Sequence, residues 1–90
     1  MKNEFTDAQK MAKKYPKTFE APSLKELKAI KIGNYVKVSH SNERFWVKIT
    51  KIIPKRLSGE VDNSLFFAPF KLGQIIHFGY NNVYSIMEGN

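Results

Sequence analysis

Apolar positions recur along this 90-residue chain at two different periods, with the change at Gly33. Before it the spacing is helical. Phe5, Ala8, Ala12 and Tyr15, with Met11 beside them, predict a short helix over 5–15. Thr6 followed by Gln9 fits a capping box at its start. Lys10, Lys13 and Lys14 suit its last turns, where cations oppose the helix dipole, and Pro16 ends it. "KTFEAP" reads as extended, with Phe19 as an anchor. A second short helix follows in "SLKELKAIKIGN": Ser23 and Glu26 form an S-x-x-E capping box, Leu24, Leu27 and Ile30 share a face, and Gly33 is its left-handed stop.

After Gly33 the period is two. In "NYVKVSH" Val36 and Val38 alternate with Tyr35, Lys37 and Ser39, and "SN" at 41–42 turns the chain. "RFWVKITKII" is the longest strand: Phe45, Val47 and Ile49 point one way, and Arg44, Trp46, Lys48 and Thr50 the other. Pro54 belongs at a strand end because it cannot join a ladder. "RLSGEVDN" alternates again, "SLFFAPFKLGQ" reads as a long loop, and "IIHFGY" and "VYSIM" are two further strands joined around Asn81 and Asn82.

The order predicts an α+β fold: two short N-terminal helices followed by a small five-stranded antiparallel meander, curled into an SH3-like, partly open barrel. Its length fits a single domain, with residues 1–32 as a helical N-terminal segment and 33–90 as the β-domain. No internal repeat is visible. The inner sheet face is assigned to Val36, Val38, Phe45, Val47, Ile49, Leu57 and Val61.

The formal charge of +7 divides unevenly. Residues 1–56 hold 14 Lys/Arg against 5 Asp/Glu, and residues 57–90 hold 1 against 3. A basic half points to an anionic partner, nucleic acid or an acidic protein. Thirteen of the fifteen basic residues are Lys, the composition an AT-rich coding sequence also produces. With no cysteine, disulfide and thiolate chemistry are excluded and a reducing, intracellular location is expected. "MKNEFTDAQKMAKK" has no apolar h-region, so no signal peptide is expected. No apolar run approaches the ~20 residues that span a bilayer, so no membrane partner is expected.

One stretch, "LKAIKIGNYVKVSHSNERFWVKITKIIPKRLSGEVDNSL…PFKLGQIIHF…NVYSI", resembles a family of small uncharacterised proteins of large DNA viruses, phages and some bacteria. The family pattern is a Gly-Asp entry to the first strand, "ERFWV" on the second, G-x-V-x-N on the third and L-x-x-G-D before the fourth. The matching positions are Gly33, Glu43 to Val47, Gly59, Val61, Asn63, Leu72 and Gly73. Asn34 and Gln74 stand where the pattern has an acidic residue. The resemblance covers about residues 15–87 and implies a small β-domain and a viral origin; no activity comes with it.

Catalysis is not expected. His40 and His77 are far apart and there is no Cys, so no metal site and no cofactor are expected. Ser39 and Ser41 beside His40 are neighbours in sequence, which is not triad geometry. Glu43, Glu60 and Asp62 are not fixed as a pair. Two surfaces stand out instead. If 35–40 pairs with 43–52, then Tyr35, Lys37, Arg44, Trp46 and Lys48 share an outer face, where aromatics interleaved with cations suit stacked bases and phosphates. The bland reading roofs Trp46 with the N-terminal helix, placing Tyr15 or Phe19 near it, and this is the expectation carried forward. Asn63 is either a turn residue or the centre of a small nucleotide pocket with Trp46 and His77. Phe66, Phe67 and Phe70 either plug the open end of the barrel or form a protein interface, with a homodimer as one outcome.

Overall fold

The computed structural model describes residues 5–88. Two short helices, α1 (Ala8–Lys14) and α2 (Leu24–Lys28), precede five strands. These are β1 (Tyr35–His40), β2 (Glu43–Ile53), β3 (Arg56–Val61), β4 (Ile75–Phe78) and β5 (Ser85–Met87), with a 3₁₀ turn at Tyr80–Asn82 between the last two. The chain is thus α+β with one five-stranded sheet of order β4-β3-β2-β1-β5, every pair antiparallel. Strands β1 to β4 form the meander, and β5 returns to the free side of β1.

Alternation sets the core. Register pairs Val36 with Val47 and Val38 with Phe45, which puts these side chains on one face. Val36, Val38, Phe45, Val47, Ile49, Leu57 and Val61 are all buried, as their period-two spacing predicts. Ile76 and Phe78 extend that face from β4, and Leu27, Ile30, Ala68 and Val83 cover it. The β1–β2 loop is the two-residue Ser41-Asn42, both with positive φ (55° and 63°), the twist that a tight hairpin favours. Pro54-Lys55 makes the β2–β3 loop, with Lys55 at φ 69°. A bulge at Thr50 shifts the β2–β3 register between Ile49 and Lys51. Gly59 is required by close approach: a Cβ built there would collide with the Lys48 carbonyl oxygen and the Val47 side chain.

The two strands β1 and β4 are entered through the same turn, written twice as Lys-Ile-Gly-Asn (31–34) and Lys-Leu-Gly-Gln (71–74). Gly33 (φ 96°) and Gly73 (φ 85°) supply the left-handed residue a type II turn needs in third position. In each, the fourth residue's N–H donates to the Lys carbonyl, and its side-chain oxygen accepts the Lys N–H at 2.8 Å (Asn34) and 2.9 Å (Gln74). The glycine N–H donates to a neighbouring strand, to Ile49 O and Val61 O, and the same residues' N–H groups donate back to Asn34 O and Gln74 O. This local repeat is not visible as similarity of longer segments.

The helical segment differs from expectation. α1 starts at Ala8, capped by Asp7, whose carboxylate accepts the Lys10 N–H at 3.0 Å, in place of a Thr6–Gln9 box. The Ser23–Glu26 capping box of α2 is present, at 3.2 and 2.8 Å. Of its expected face, Leu27 and Ile30 are buried and Leu24 is exposed. Gly33 is the turn glycine above, not a helix stop. α1 packs against the 3₁₀ turn instead of roofing the outer sheet face. The reason lies at its leading end. Phe5 inserts between His40, Phe70 and Phe78, with ring centroids 5.2, 5.6 and 5.9 Å away. The Thr6 N–H donates to Ser39 O, and the buried Asn82 amide donates to the Phe5 and Thr6 carbonyls. These bonds tether the helix to that edge, and Tyr15 is left exposed at its far end.

Candidate nucleic-acid interface

The outward-facing residues of β1 and β2 are set by the register that buries their neighbours. Lys37 lies opposite Trp46, Tyr35 opposite Lys48, and Ser39 opposite Arg44. The structure therefore brings Tyr35, Lys37, Arg44, Trp46 and Lys48 onto one face. Trp46 is half-buried, with the Lys37 ammonium 4.9 Å from the centre of its ring. Among the described residues, the ring contacts of Tyr15 and Phe19 run to each other and to Tyr84, at 6.0 and 6.3 Å. Neither Tyr15 nor Phe19 is paired with Trp46 among the described residues, and the N-terminal segment reaches this face at Arg44. The Arg44 guanidinium lies 4.6 Å from the Tyr84 ring and 5.4 Å from that of Phe19. Burial raises the Tyr84 hydroxyl above its ordinary pKa, against the opposing pull of Arg44.

Anionic residues border the face on the β3 side. Glu60 lies opposite Lys48, and the Asp62 N–H donates to Trp46 O at 2.9 Å. Asn63 is consumed internally: its Oδ1 accepts the Trp46 N–H at 2.6 Å, holding β2 extended just beyond the last β3 pair, Val47 with Val61. His77 pairs with Ser58, and its Nδ1 lies 2.7 Å from Ser58 Oγ. Through Ser58, His77 lies in register with Lys51, five residues along β2 from Trp46. His40 is buried, with Nδ1 2.8 Å from Ser41 Oγ.

The aromatic loop divides. Phe70 turns inward, stacked on Phe5 and edge-on to His40 at 5.0 Å, with Phe45 at 6.1 Å, and packs partly buried against the core. Phe66 and Phe67 are 89% and 76% exposed. The cause is Glu43, whose carboxylate accepts the N–H groups of Phe66 (2.9 Å), Phe67 (2.7 Å) and Ala68 (2.9 Å). Those donors, Ala68 foremost, hold the Glu43 carboxyl below its usual pKa. Sequence reasoning grouped the three phenylalanines and missed Glu43 as the clamp, as well as Tyr84 and Phe19 as the seat of Arg44.

Recesses lie elsewhere among the described residues. One of about 390 Å³ is lined by Leu24, Leu27, Lys28, Lys55, Tyr80 and Asn81. Another, about 260 Å³, is polar and includes Glu20, Glu26 and Tyr84. Among the described residues no group of three or more His, Asp or Glu side chains is placed to hold a metal ion, and no helix is long and apolar enough to cross a membrane. Comparison with family models, curated proteins and solved structures finds no match.

Proposed function

We propose that this protein is a non-enzymatic binding module, and that the outer face of β1 and β2 binds nucleic acid. The observation that carries the reading is the register: Lys37 opposite Trp46 and Tyr35 opposite Lys48 place a cation and an aromatic ring side by side in two successive rows. Rings stack on bases and the ammonium groups neutralise phosphates, a combination suited to ligands of varied sequence. The partial exposure of Trp46 supports it, since the residue keeps accessible surface. Glu60 and Asp62 confine the anion to the β1–β2 side.

The finer architecture belongs to the same proposal. Strand order β4-β3-β2-β1-β5 and a 3₁₀ turn before the last strand support an SH3-like, partly open barrel. The structural duties of Glu43, Gly59 and Asn63 support reading the resemblance to small viral and phage proteins as a shared β-domain. The lack of cysteine supports action inside the cell.

Fluorescence anisotropy with labelled oligonucleotides at about 50 and 200 mM salt tests the function, because phosphate contacts weaken as salt rises. Binding that falls with salt is expected. No binding at the lower concentration overturns the reading.

A further inference from the structure

We infer that the nucleic acid is single-stranded and that its path runs off the sheet face onto Phe66 and Phe67, which form a second base-stacking platform. This rests on the proposed function of the β1–β2 face and specifies its ligand.

Two large rings left in water call for an explanation, since a loop free to collapse would cover them. This loop is held open from both sides. Glu43 ties the N–H groups of Phe66, Phe67 and Ala68, while Ala68 and Phe70 anchor in the core. The exposure of the two rings is therefore built into the fold.

Position gives the occupant. Glu43 adjoins Arg44 on β2, and Trp46 stands three residues further along the strand, about 10 Å at the rise of extended chain. On the other flank, Asp62 and Asn63 lead from Trp46 directly into the loop. Trp46 and Arg44 on the outer face, and the Phe66–Phe67 pair held by Glu43 at the strand's end, thus follow one another along the start of β2, which β1 pairs on one side and β3 leaves free on the other, a span that a few successive nucleotides cover. Charge agrees. Glu60 faces Lys48 across the sheet and closes that direction to an anion, whereas the Glu43 carboxylate is occupied by three N–H donors. A duplex hides its base planes within its own stack, so rings placed along a strand in this way select unstacked bases.

The test uses the full chain and an oligothymidylate of about 12 nucleotides, within the site sizes of small single-strand binders. A duplex of equal length and sedimentation of the free protein are run beside it. Phe66→Ala and Phe67→Ala are each expected to weaken single-strand binding roughly 5- to 150-fold with the salt slope unchanged, since stacking adds no counterion release. Circular dichroism should be unchanged, because both side chains are exposed. If both variants bind the oligonucleotide as wild type does, this inference is overturned and the β1–β2 face stands alone. Equal wild-type affinity for duplex and single strand overturns it as well. A variant that loses self-association but keeps oligonucleotide affinity assigns the pair to a second copy of the chain. Failure of wild type to bind any oligonucleotide at low salt removes the underlying reading, and the inference with it.

Discussion

The backbone N–H of Trp46 donates to the side-chain oxygen of Asn63 across 2.6 Å, seventeen residues along the chain. The bond continues a ladder that β3 has already left, so the segment presenting Trp46, paired with β1 on its other side, stays extended without a β3 partner. Removing the acceptor strands a part-buried N–H. Asn63→Ala is expected to cost about 1–3 kcal/mol, and Asn63→Asp, which keeps the oxygen, less. Thermal unfolding checks this, with a loss of roughly 4–8 °C in Tm per kcal/mol for a domain of this size. An alanine variant melting with wild type would show that water replaces the bond.

Glu43 sets a pH dependence. Its folded-state pKa lies below the ordinary value of 4.5 because the N–H groups of Ala68, Phe66 and Phe67 favour the carboxylate. A depressed pKa means stability that is present above the unfolded value and lost as pH falls through the folded one. Glu26 is shifted the same way by Ser23, so acid sensitivity alone does not isolate Glu43. The comparison with Glu43→Gln does. Wild type should be the more stable at pH 6, and the gap measured by urea unfolding should narrow as pH falls below about 4.5. A constant gap would place the loop's stability elsewhere.

The paired turns make a matched prediction. At Gly33 and Gly73 an added Cβ meets nothing within 4 Å, so only backbone strain opposes it. Each Gly→Ala change is expected to cost about 1–2 kcal/mol, the penalty of a left-handed L-residue. The turns serve different strands, so the double variant should lose the sum within about 0.5 kcal/mol. At Gly59, where the new Cβ meets backbone, alanine should cost more than at either turn. Urea denaturation of the four variants checks the order.

What the sequence discloses follows the range of the forces involved. The sheet's inner face was legible because alternation is a local property: Val36, Val38, Phe45, Val47, Ile49, Leu57 and Val61 needed no knowledge of their partners. The Ser23–Glu26 cap and the Ser41-Asn42 turn were legible for the same reason. The placement of α1 was not, because it depends on Asn82 reaching residues more than 70 positions away. The division of Phe70 from Phe66 and Phe67 was hidden likewise, since it is decided by Glu43 and Phe5 and by nothing in the loop's own spacing. Of the candidate face, the β1–β2 residues followed from alternation, whereas the seat of Arg44 on Tyr84 joins two ends of the fold.

The last prediction separates charge from stacking on the β1–β2 face. Lys37 and Lys48 project from adjacent strands on the outer side, one beside Trp46 and the other beside Tyr35. Each ammonium that neutralises a phosphate releases condensed counterions, and for single strands the salt slope carries about 0.7 per contact. The variant Lys37→Gln/Lys48→Gln is therefore expected to bind an oligothymidylate more weakly at low salt, with a log–log salt slope shallower by about 1.4. Trp46→Leu, in contrast, should weaken binding and leave the slope as it is, because a ring releases no ions. Trp46 is the chain's only tryptophan, so its emission follows the titration without a label in wild type and the double lysine variant. Quenching that parallels the anisotropy curve places bases on this ring. Unchanged emission with unchanged slopes would move the binding surface away from β1 and β2.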